Sequence, residues 1–232
     1  MENINRFQRI NEEEETQRFF VKVYGWMSFA LIITGLVAIW TASTPPLIGL
    51  LTSNKILLFG LIILELILVA SLAGWIMKMS VEMATFLFIL YSAINGFTLS
   101  VIFLIYTADS IASTFFITAG TFAIMSIYGY FTKTDLTKLG NLLFMALIGL
   151  ILASLINIFF QNETLYWITT YAGVLIFIGL IAYDTQKLKE MNVIGNEGTD
   201  EDKKEAILGA LTLYLDFINL FLYLLRIFGR KK

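Results

Sequence analysis

Long apolar segments alternate with short polar ones along most of this chain. Seven apolar windows are each about 20 residues long, the length of an α-helix that crosses a bilayer core of about 30 Å. The pattern predicts an all-α polytopic membrane protein, with a polar tail over residues 1–19, a transmembrane domain over 20–229 and a basic end over 230–232. The predicted transmembrane helices cover residues 20–43, 55–77, 83–106, 110–131, 139–160, 164–187 and 205–228.

Two connections between these windows are longer than the rest. Residues 44–54 contain both prolines of the chain, which is consistent with a break between two helices. Residues 192–205 are polar and contain two glycines, so they predict an exposed loop. Its acidic residues Asp200, Glu201 and Asp202 lack the spacing of a calcium-binding loop, and we expect them on the solvated surface rather than around an ion.

The composition supports a membrane protein and excludes several chemistries. Of the 232 residues, 58% are hydrophobic and only 15% are charged, too few to coat a soluble core of this size. The net charge of −2 offers no basic field to a nucleic-acid partner. Histidine and cysteine are absent, which removes Cys/His zinc sites, disulfides, thiol nucleophiles and Ser-His catalysis. The polar first 19 residues predict no signal peptide.

The distribution of lysine and arginine predicts a cytoplasmic N-terminus, because cytoplasmic loops carry the excess of positive charge. The loops on the opposite side contain only Lys55. Seven spans also place the basic end 230–232 on that opposite side, against the rule. A six-span or hairpin-like arrangement would bring it inside, but the last window is too apolar to be dismissed as a span. If the chain is bacterial, we expect it in the cell membrane. The N-terminal side carries eleven cationic residues: Arg6, Arg9, Arg18, Lys22, Lys78, Lys133, Lys138, Lys187, Lys189, Lys203 and Lys204.

Four ionisable residues stand out within the predicted spans. A charged side chain at the centre of a bilayer costs at least about 2.5–3.5 kcal/mol, so each needs a partner or a purpose. Glu65 lies in the middle of the second span, and Asp184 lies near the inner end of the sixth. Asp216 is at the centre of the seventh span, and Arg226 is near its outer end. These four residues are the first candidates for a functional site.

The seventh span carries a polar stripe. Spacings of 4, 3, 4 and 3 residues place its members on one helical face, while leucine and phenylalanine fill the other faces. We expect the stripe to be buried against other helices or along a water-filled path, with a purely structural hydrogen-bonded seam as the alternative. The stripe consists of Thr212, Asp216, Asn219, Tyr223 and Arg226.

Asp184 and Asp216 lie on consecutive antiparallel spans and could meet. Counted from the predicted helix ends, their depths differ by about 9 Å, which a tilt or a late start of the seventh helix would reduce. Two carboxylates at hydrogen-bond distance in a low dielectric cannot both be ionised cheaply, so they would share one proton. Such a pair is also an anionic, oxygen-only site suited to Ca²⁺. Asp184 could instead reach the interface alone or pair with Lys187.

Other polar residues within the spans have more than one interpretation. Glu65 and Arg226 form a second candidate pair, but they differ in nominal depth, so a salt bridge requires an inward-reaching arginine or shifted helix ends. Asn95 and Asn157 are expected to form hydrogen bonds between helices, with the lining of a pathway as the alternative.

Three segments of the chain resemble the transmembrane Bax-inhibitor-motif family, also called the Bax-inhibitor-one or lifeguard family. They are SIYGYFTKTDLTKLG (Ser126–Gly140), AYDTQKLK (Ala182–Lys189) and ALTLYLDFINLFLYLLRIFG (Ala210–Gly229). The three segments occur in the family's order, and the resemblance covers about residues 20–229.

The resemblance implies a bundle of seven transmembrane helices with the seventh helix central. Bacterial members are described as pH-sensitive calcium-leak proteins, and eukaryotic relatives as suppressors of cell death that lower stored calcium. The family's paired aspartates match Asp184 and Asp216, and its acidic and basic residues of the second and seventh helices match Glu65 and Arg226.

One position departs from the family pattern. Family members often carry an arginine near the inner end of the second helix, where it is thought to latch onto the aspartates. This chain reads SLAGWIMKMS there, and Lys78 is the nearest cation. Lysine is a flexible point charge without the bidentate geometry of arginine. Lys78 is therefore a candidate gate residue, or else a routine determinant of topology.

The expected function is a calcium leak in which Asp184 and Asp216 act as pH sensor and as cation ligands, with Ca²⁺ as the transported or weakly bound ion. The expected partners are the lipid bilayer, Ca²⁺ and protons, without a nucleic acid or an organic cofactor. A monomer is favoured, although the sequence does not determine the oligomeric state.

Two other classes compete with the leak. A proton-coupled cation exchanger would use the same carboxylates with alternating access. An intramembrane aspartyl protease would also use two aspartates that share a proton. However, Leu213–Asp216 reads LYLD instead of a Gly-x-Gly-Asp turn, and no Pro-Ala-Leu motif follows. We therefore do not expect an enzyme.

Overall fold

The computed structural model describes the backbone of residues 2–232 and the side chains of residues 11–232. Arg6 and Arg9, which were counted for the topology, lie outside the described side chains. The regular structure of the described chain is helical, apart from one isolated β-bridge between Tyr106 and Lys231. The helices are α1 (Glu2–Ala42), α2 (Pro45–Ser53), α3 (Lys55–Trp75), α4 (Val81–Leu99), α5 (Ile102–Ile105), α6 (Ala108–Phe131), α7 (Thr137–Phe160), α8 (Glu163–Met191) and α9 (Asp200–Phe228), with a short 3₁₀ turn at Ile76–Lys78.

Seven helical segments of the described chain are long and apolar enough to cross a membrane. They are α1, α3 with its 3₁₀ turn, α4 continued by α5, and α6 to α9. The predicted all-α membrane architecture and the number of spans are therefore confirmed. α1 begins at Glu2, so the predicted polar tail belongs to the same helix as the first span.

The first long connection contains a helix of its own. α2 begins with the two prolines at Pro45 and Pro46. Proline suits the first turn of a helix, because its missing N–H would have had no intrahelical partner and its φ angle is already helical. The prolines therefore separate α1 from α2, as predicted, and they also start the short helix.

The last long connection is shorter than the sequence predicts. α8 continues to Met191 and α9 begins at Asp200, so the predicted loop is wrong over residues 200–205. Thr199 Oγ1 accepts a hydrogen bond from the backbone N–H of Asp202 at 3.2 Å, which caps the new helix. The acidic residues of the first turn are favoured there because the N-terminal end of a helix dipole is positive.

The chain forms two compact units. The first comprises residues 1–104 and 190–214, and the second comprises residues 105–189 and 215–232. In the first unit, a Cβ atom on Gly96 of α4 would collide with the backbone carbonyl of Thr34 on α1. In the second unit, a Cβ atom on Gly129 of α6 would collide with the backbone of Ala182 on α8. Glycine is thus required where these helix backbones touch.

The helices differ strongly in burial. Within the most apolar part of α9, 67% of the residues are buried, compared with 6% for α7 and 11% for α3 with its 3₁₀ turn. The exposed surface of α3 and α7 is rich in isoleucine, leucine and phenylalanine, as expected for helices that face lipid. α9 is the most buried span, which agrees with the polar stripe predicted on it.

Candidate functional site

Asp184 and Asp216 meet in the second unit. Asp184 lies on α8, and Asp216 lies on α9 with only 5% of its surface exposed. Their carboxyl groups are within hydrogen-bonding reach of each other. An ionised carboxylate can only accept hydrogen bonds, so a bond between these two groups requires a proton on one of them. The structure therefore brings together the two aspartates that the sequence suggested could meet.

Asp216 is buried with one of its two carboxyl oxygens unsatisfied. Its Oδ2 atom is buried and accepts no hydrogen bond from the described residues. The neighbouring Phe217 packs against Phe115 and Phe122 of α6, with ring centroids 5.3 and 5.7 Å apart. A buried carboxylate oxygen without a donor is costly unless it binds a proton, a water or a cation. This oxygen is the unsatisfied atom at the centre of the candidate site.

Lys187 is the cation nearest to Asp184 on the same helix. It acts on Asp184 electrostatically, but the two form no ion pair among the described side chains. Its ammonium group lies 5.8 Å from the ring centroid of Tyr183 instead. The alternative partner that the sequence offered for Asp184 therefore makes no direct bond with it.

The depths of the two aspartates do not match the sequence estimate. Asp184 lies seven residues before the end of α8, and Asp216 lies sixteen residues after the start of α9. At about 1.5 Å per residue, these positions differ by about 14 Å, more than the predicted helix ends suggested. The carboxyl groups meet nevertheless, so the connecting residues 192–199 and the tilt of the helices take up the difference.

Two other members of the stripe are satisfied within α9. Thr212 Oγ1 donates to the carbonyl of Leu208 at 3.1 Å, and Asn219 Nδ2 donates to the carbonyl of Leu215 at 2.8 Å. Bonds of this kind remove the polarity of a side chain from the helix surface. These contacts of Thr212 and Asn219 match the alternative given for the stripe, in which its polar groups have a purely structural role.

The last two members of the stripe, Tyr223 and Arg226, pack against aromatic rings. Tyr223 stacks on Phe177 of α8, with ring centroids 5.9 Å apart. The guanidinium group of Arg226 lies 4.9 Å from the ring centroid of Tyr223 and 5.4 Å from that of Tyr166. Such cation–π contacts are attractive where water is scarce, and they hold the cation near the end of α9.

Glu65 has neutral partners in the first unit. Thr98 Oγ1 donates to Glu65 Oε1 at 2.7 Å, and Asn95 Nδ2 donates to Glu65 Oε2 at 3.4 Å. Glu65 and Arg226 belong to different units, and their pairing stays a prediction. Lys78 is exposed at the end of the 3₁₀ turn, and its role as a gate residue also stays a prediction.

A buried hydrogen-bond network around Tyr214 was not predicted. The hydroxyl of Tyr214, which is fully buried, donates to Asn95 Oδ1 at 3.0 Å and lies 2.7 Å from Thr34 Oγ1. Thr34 in turn donates to the carbonyl of Ser92 at 2.9 Å. The expected hydrogen bonding of Asn95 between helices is confirmed. A tyrosine inside an apolar span was the signal, because its hydroxyl needs a partner when buried.

The other asparagine behaves differently from its prediction. Asn157 Oδ1 accepts from the backbone N–H of Asn162 at 2.8 Å, in the connection that follows its own helix. Its side chain therefore closes the end of α7 and does not bond to another span through this oxygen. The residue lies within one turn of the helix end, where capping competes with contacts between helices.

A partly buried ion pair joins α1 to the first turn of α9 in the first unit. Asp202, predicted on the solvated surface, is only 2% exposed and accepts from Lys22 Nζ at 2.6 Å and from the N–H of Gly198 at 2.7 Å. The prediction was wrong, because α9 begins early enough to bring Asp202 against α1. Nearby, Arg18 donates to Glu197 at 2.8 Å, and this bond holds the pKa of Glu197 below its ordinary value.

The fold and this site define a helical polytopic membrane protein with a pair of carboxyl groups between its last two spans. A family model described as "Inhibitor of apoptosis-promoting Bax1" matches residues 16–232. The chain is 55% identical over 217 residues to the inner membrane protein YbhL of Escherichia coli, which covers 93% of each protein. It is 46% identical over 215 residues to an uncharacterized protein of Borreliella burgdorferi, and the match covers 93% of each protein. It is 36% identical over 214 residues to an uncharacterized protein of Deinococcus radiodurans, and the match covers 92% of the chain and 91% of that protein. The chain is a membrane protein of the Bax-inhibitor-one family, which confirms the resemblance.

Proposed function

We propose that this protein is a pH-sensitive calcium leak in which Asp184 and Asp216 share a proton and bind the permeating cation. The observation that carries the proposal is the contact between the two carboxyl groups, at which Asp216 Oδ2 is buried without a hydrogen-bond donor. Membership of the family supports it, since a pH-sensitive calcium leak is what the resemblance to this family implies.

The contact has two states with different charge. With one shared proton, a hydrogen bond joins α8 and α9 and the pair carries one negative charge. Without the proton, two like charges face each other in a low dielectric, and this state needs a cation or a separation of the helices. Ca²⁺ suits the second state because it prefers several oxygen ligands and accepts irregular geometry. Proton and Ca²⁺ therefore compete for the same oxygens.

The remaining predicted residues complete the proposal. Lys78, Glu65 and Arg226 would act on the opening of the path rather than on the shared proton, because none of them lies next to either aspartate in the sequence. The N-terminus would face the cytoplasm, since the loops on its side carry the excess of lysine and arginine. The protein would lie in the cell membrane as a monomer.

The test is Ca²⁺ flux into dye-loaded proteoliposomes over a range of pH. The wild type should show flux that changes with pH, and Asp184→Asn and Asp216→Asn should each flatten the profile. Asp109→Asn is the matched control, since it removes one exposed carboxylate from the first turn of α6 in the same unit. The same pH profile in the wild type and in both aspartate variants would rule out the shared-proton mechanism.

A measurement of proton movement separates a leak from an exchanger. A pH-sensitive dye inside the same vesicles should report no fixed number of protons moved for each Ca²⁺ ion. A constant stoichiometry that holds when the membrane potential is clamped would instead support a proton-coupled exchanger that uses the same two aspartates.

A further inference from the structure

A cavity of about 440 Å³ lies in the second unit, where α7 ends and α8 begins. Side chains of the connection and of the first turn and a half of α8 line it, together with Lys231 near the end of the chain. Its volume falls in the range of about 300–1,000 Å³ that is typical of small-ligand sites. The cavity is separate from the paired aspartates, and the calcium proposal does not use its lining residues.

The two asparagines of the cavity offer mainly hydrogen-bond donors. Asn157 Oδ1 accepts from the N–H of Asn162 at 2.8 Å, and Asn162 Oδ1 accepts from the N–H of Leu165 at 2.9 Å. The backbone has therefore already engaged both amide oxygens. The NH₂ groups of the two asparagines remain, and each NH₂ group carries two donors. A cavity with this lining favours an anionic oxygen ligand such as a phosphate.

The cavity also contains one charge of each sign. Lys231 and Glu163 both line it, and neither side chain makes a hydrogen bond or an ion pair with another described residue. Backbone pairing fixes the position of Lys231, since the N–H of Thr107 donates to Arg230 at 3.0 Å and the N–H of Lys232 donates to Ile105 at 2.9 Å. A cation and a carboxylate that line one cavity match a ligand that carries both charges.

The surroundings place the cavity beside lipid. Ile158, Phe159 and Phe160, at the end of α7, are 62%, 84% and 77% exposed, as expected for side chains in contact with acyl chains. Tyr166 and Trp167 line the cavity one turn into α8, and these residue types concentrate at the level of lipid headgroups. A ligand held here would therefore have its polar part in the cavity and its apolar part against α7.

We propose that this cavity binds the headgroup of a membrane phospholipid that carries a phosphate and a primary ammonium group. The phosphate binds Lys231 and the amide N–H groups of Asn157 and Asn162, in charge-assisted hydrogen bonds. The ammonium group binds Glu163 and the face of an aromatic ring. Tyr166 also contacts Arg226 in the last turn of α9, so only this tyrosine would separate the bound lipid from that turn.

The test is native mass spectrometry of the full-length protein in detergent with defined lipids. Phosphatidylethanolamine carries both charged groups, phosphatidylglycerol lacks the ammonium group, and phosphatidylcholine replaces it with a bulky quaternary one. Phosphatidylethanolamine should bind most tightly. Lys231→Gln should weaken its binding about tenfold, equal to about 1.4 kcal/mol. Glu163→Gln should remove the preference over phosphatidylglycerol while binding of phosphatidylglycerol persists.

Lys232→Gln is the matched control, because it makes the same change of charge one residue from the cavity lining. Thermal unfolding of each variant in the same detergent shows whether the fold is kept. Equal binding of the three lipids by the wild type would overturn the proposal, and so would equal effects of Lys231→Gln and Lys232→Gln. Soluble glycerophosphoethanolamine should bind far more weakly than the lipid, and equal affinity would show that the ligand is a free phosphate ester and not a membrane lipid.

Discussion

Glu65 and Asp216 are both acidic residues in the middle of apolar spans, yet their surroundings differ. Glu65 accepts hydrogen bonds from two neutral donors, Thr98 and Asn95, in the first unit. Asp216 faces a second carboxyl group, Asp184, in the second unit, and its Oδ2 atom has no donor. Neutral donors favour the ionised form of a buried carboxyl group, whereas two carboxyl groups that face each other cannot both be ionised without a cation or a separation of the helices.

Two acidic residues in the middle of apolar spans can therefore have different surroundings, and the partner of each decides which charge states it can adopt. The network of Glu65, Asn95, Tyr214 and Thr34 joins α1, α3, α4 and α9 within the first unit, and most of its bonds are between neutral groups. Satisfied networks of this kind make a core rigid and specific. In the proposed mechanism, the contact of Asp184 with Asp216 is the part of the structure that would respond to pH.

The largest effect on stability is expected from substitutions that crowd the close helix contacts next to the two acidic sites. Gly129→Val would force α6 away from the backbone of Ala182, two residues before Asp184, and Gly96→Val would force α4 away from Thr34. Each change should destabilise the protein by about 1–3 kcal/mol or more in thermal unfolding, because backbone atoms cannot move aside locally. Only Gly129→Val should also shift the pH profile of Ca²⁺ flux.

Gly120→Val is the control for both changes, because no atom lies within 4 Å of a Cβ atom at that position. It should leave stability and flux nearly unchanged. An equal shift of the pH profile in Gly96→Val would break the distinction between the two acidic sites.

An intermediate effect is expected from removing single donors near Glu65. Tyr214→Phe removes the hydroxyl that bonds to Asn95 and Thr34, and Thr98→Val removes the closer donor to Glu65. Each should cost about 0.5–1.5 kcal/mol in the free energy of unfolding, the usual net contribution of one hydrogen bond. The flux of both variants should keep the wild-type dependence on pH. A flattened profile in Tyr214→Phe would show that the network takes part in proton binding.

The smallest effect concerns an exposed carboxylate outside the membrane. The bond from Arg18 lowers the pKa of Glu197, so it stabilises the folded state above the ordinary glutamate pKa of about 4.3. This contribution is lost as the pH falls through the lowered pKa. Thermal unfolding from pH 6 downward should show a slightly steeper loss of stability in the wild type than in Arg18→Gln. High salt should remove the difference, because exposed pairs are screened.

The spans could be predicted from the sequence because hydrocarbon imposes a fixed length and excludes unpaired backbone groups. The candidate pair also emerged from the sequence, since few acidic residues occur inside the spans. The sequence could not show the contacts of Tyr214, because they depend on how each helix is rotated about its axis. Asp202 was misplaced for a similar reason: a polar residue near a helix start looks solvated until its partner on α1 is known.

The length of α1 has a mechanical consequence. Its 41 residues extend over about 60 Å, about twice the thickness of a bilayer core. About half of the helix therefore extends beyond the bilayer core, and on this side Arg18 pairs with Glu197 and Lys22 with Asp202. The ion pair of Lys22 with Asp202 thereby ties the membrane end of this extension to the first turn of α9.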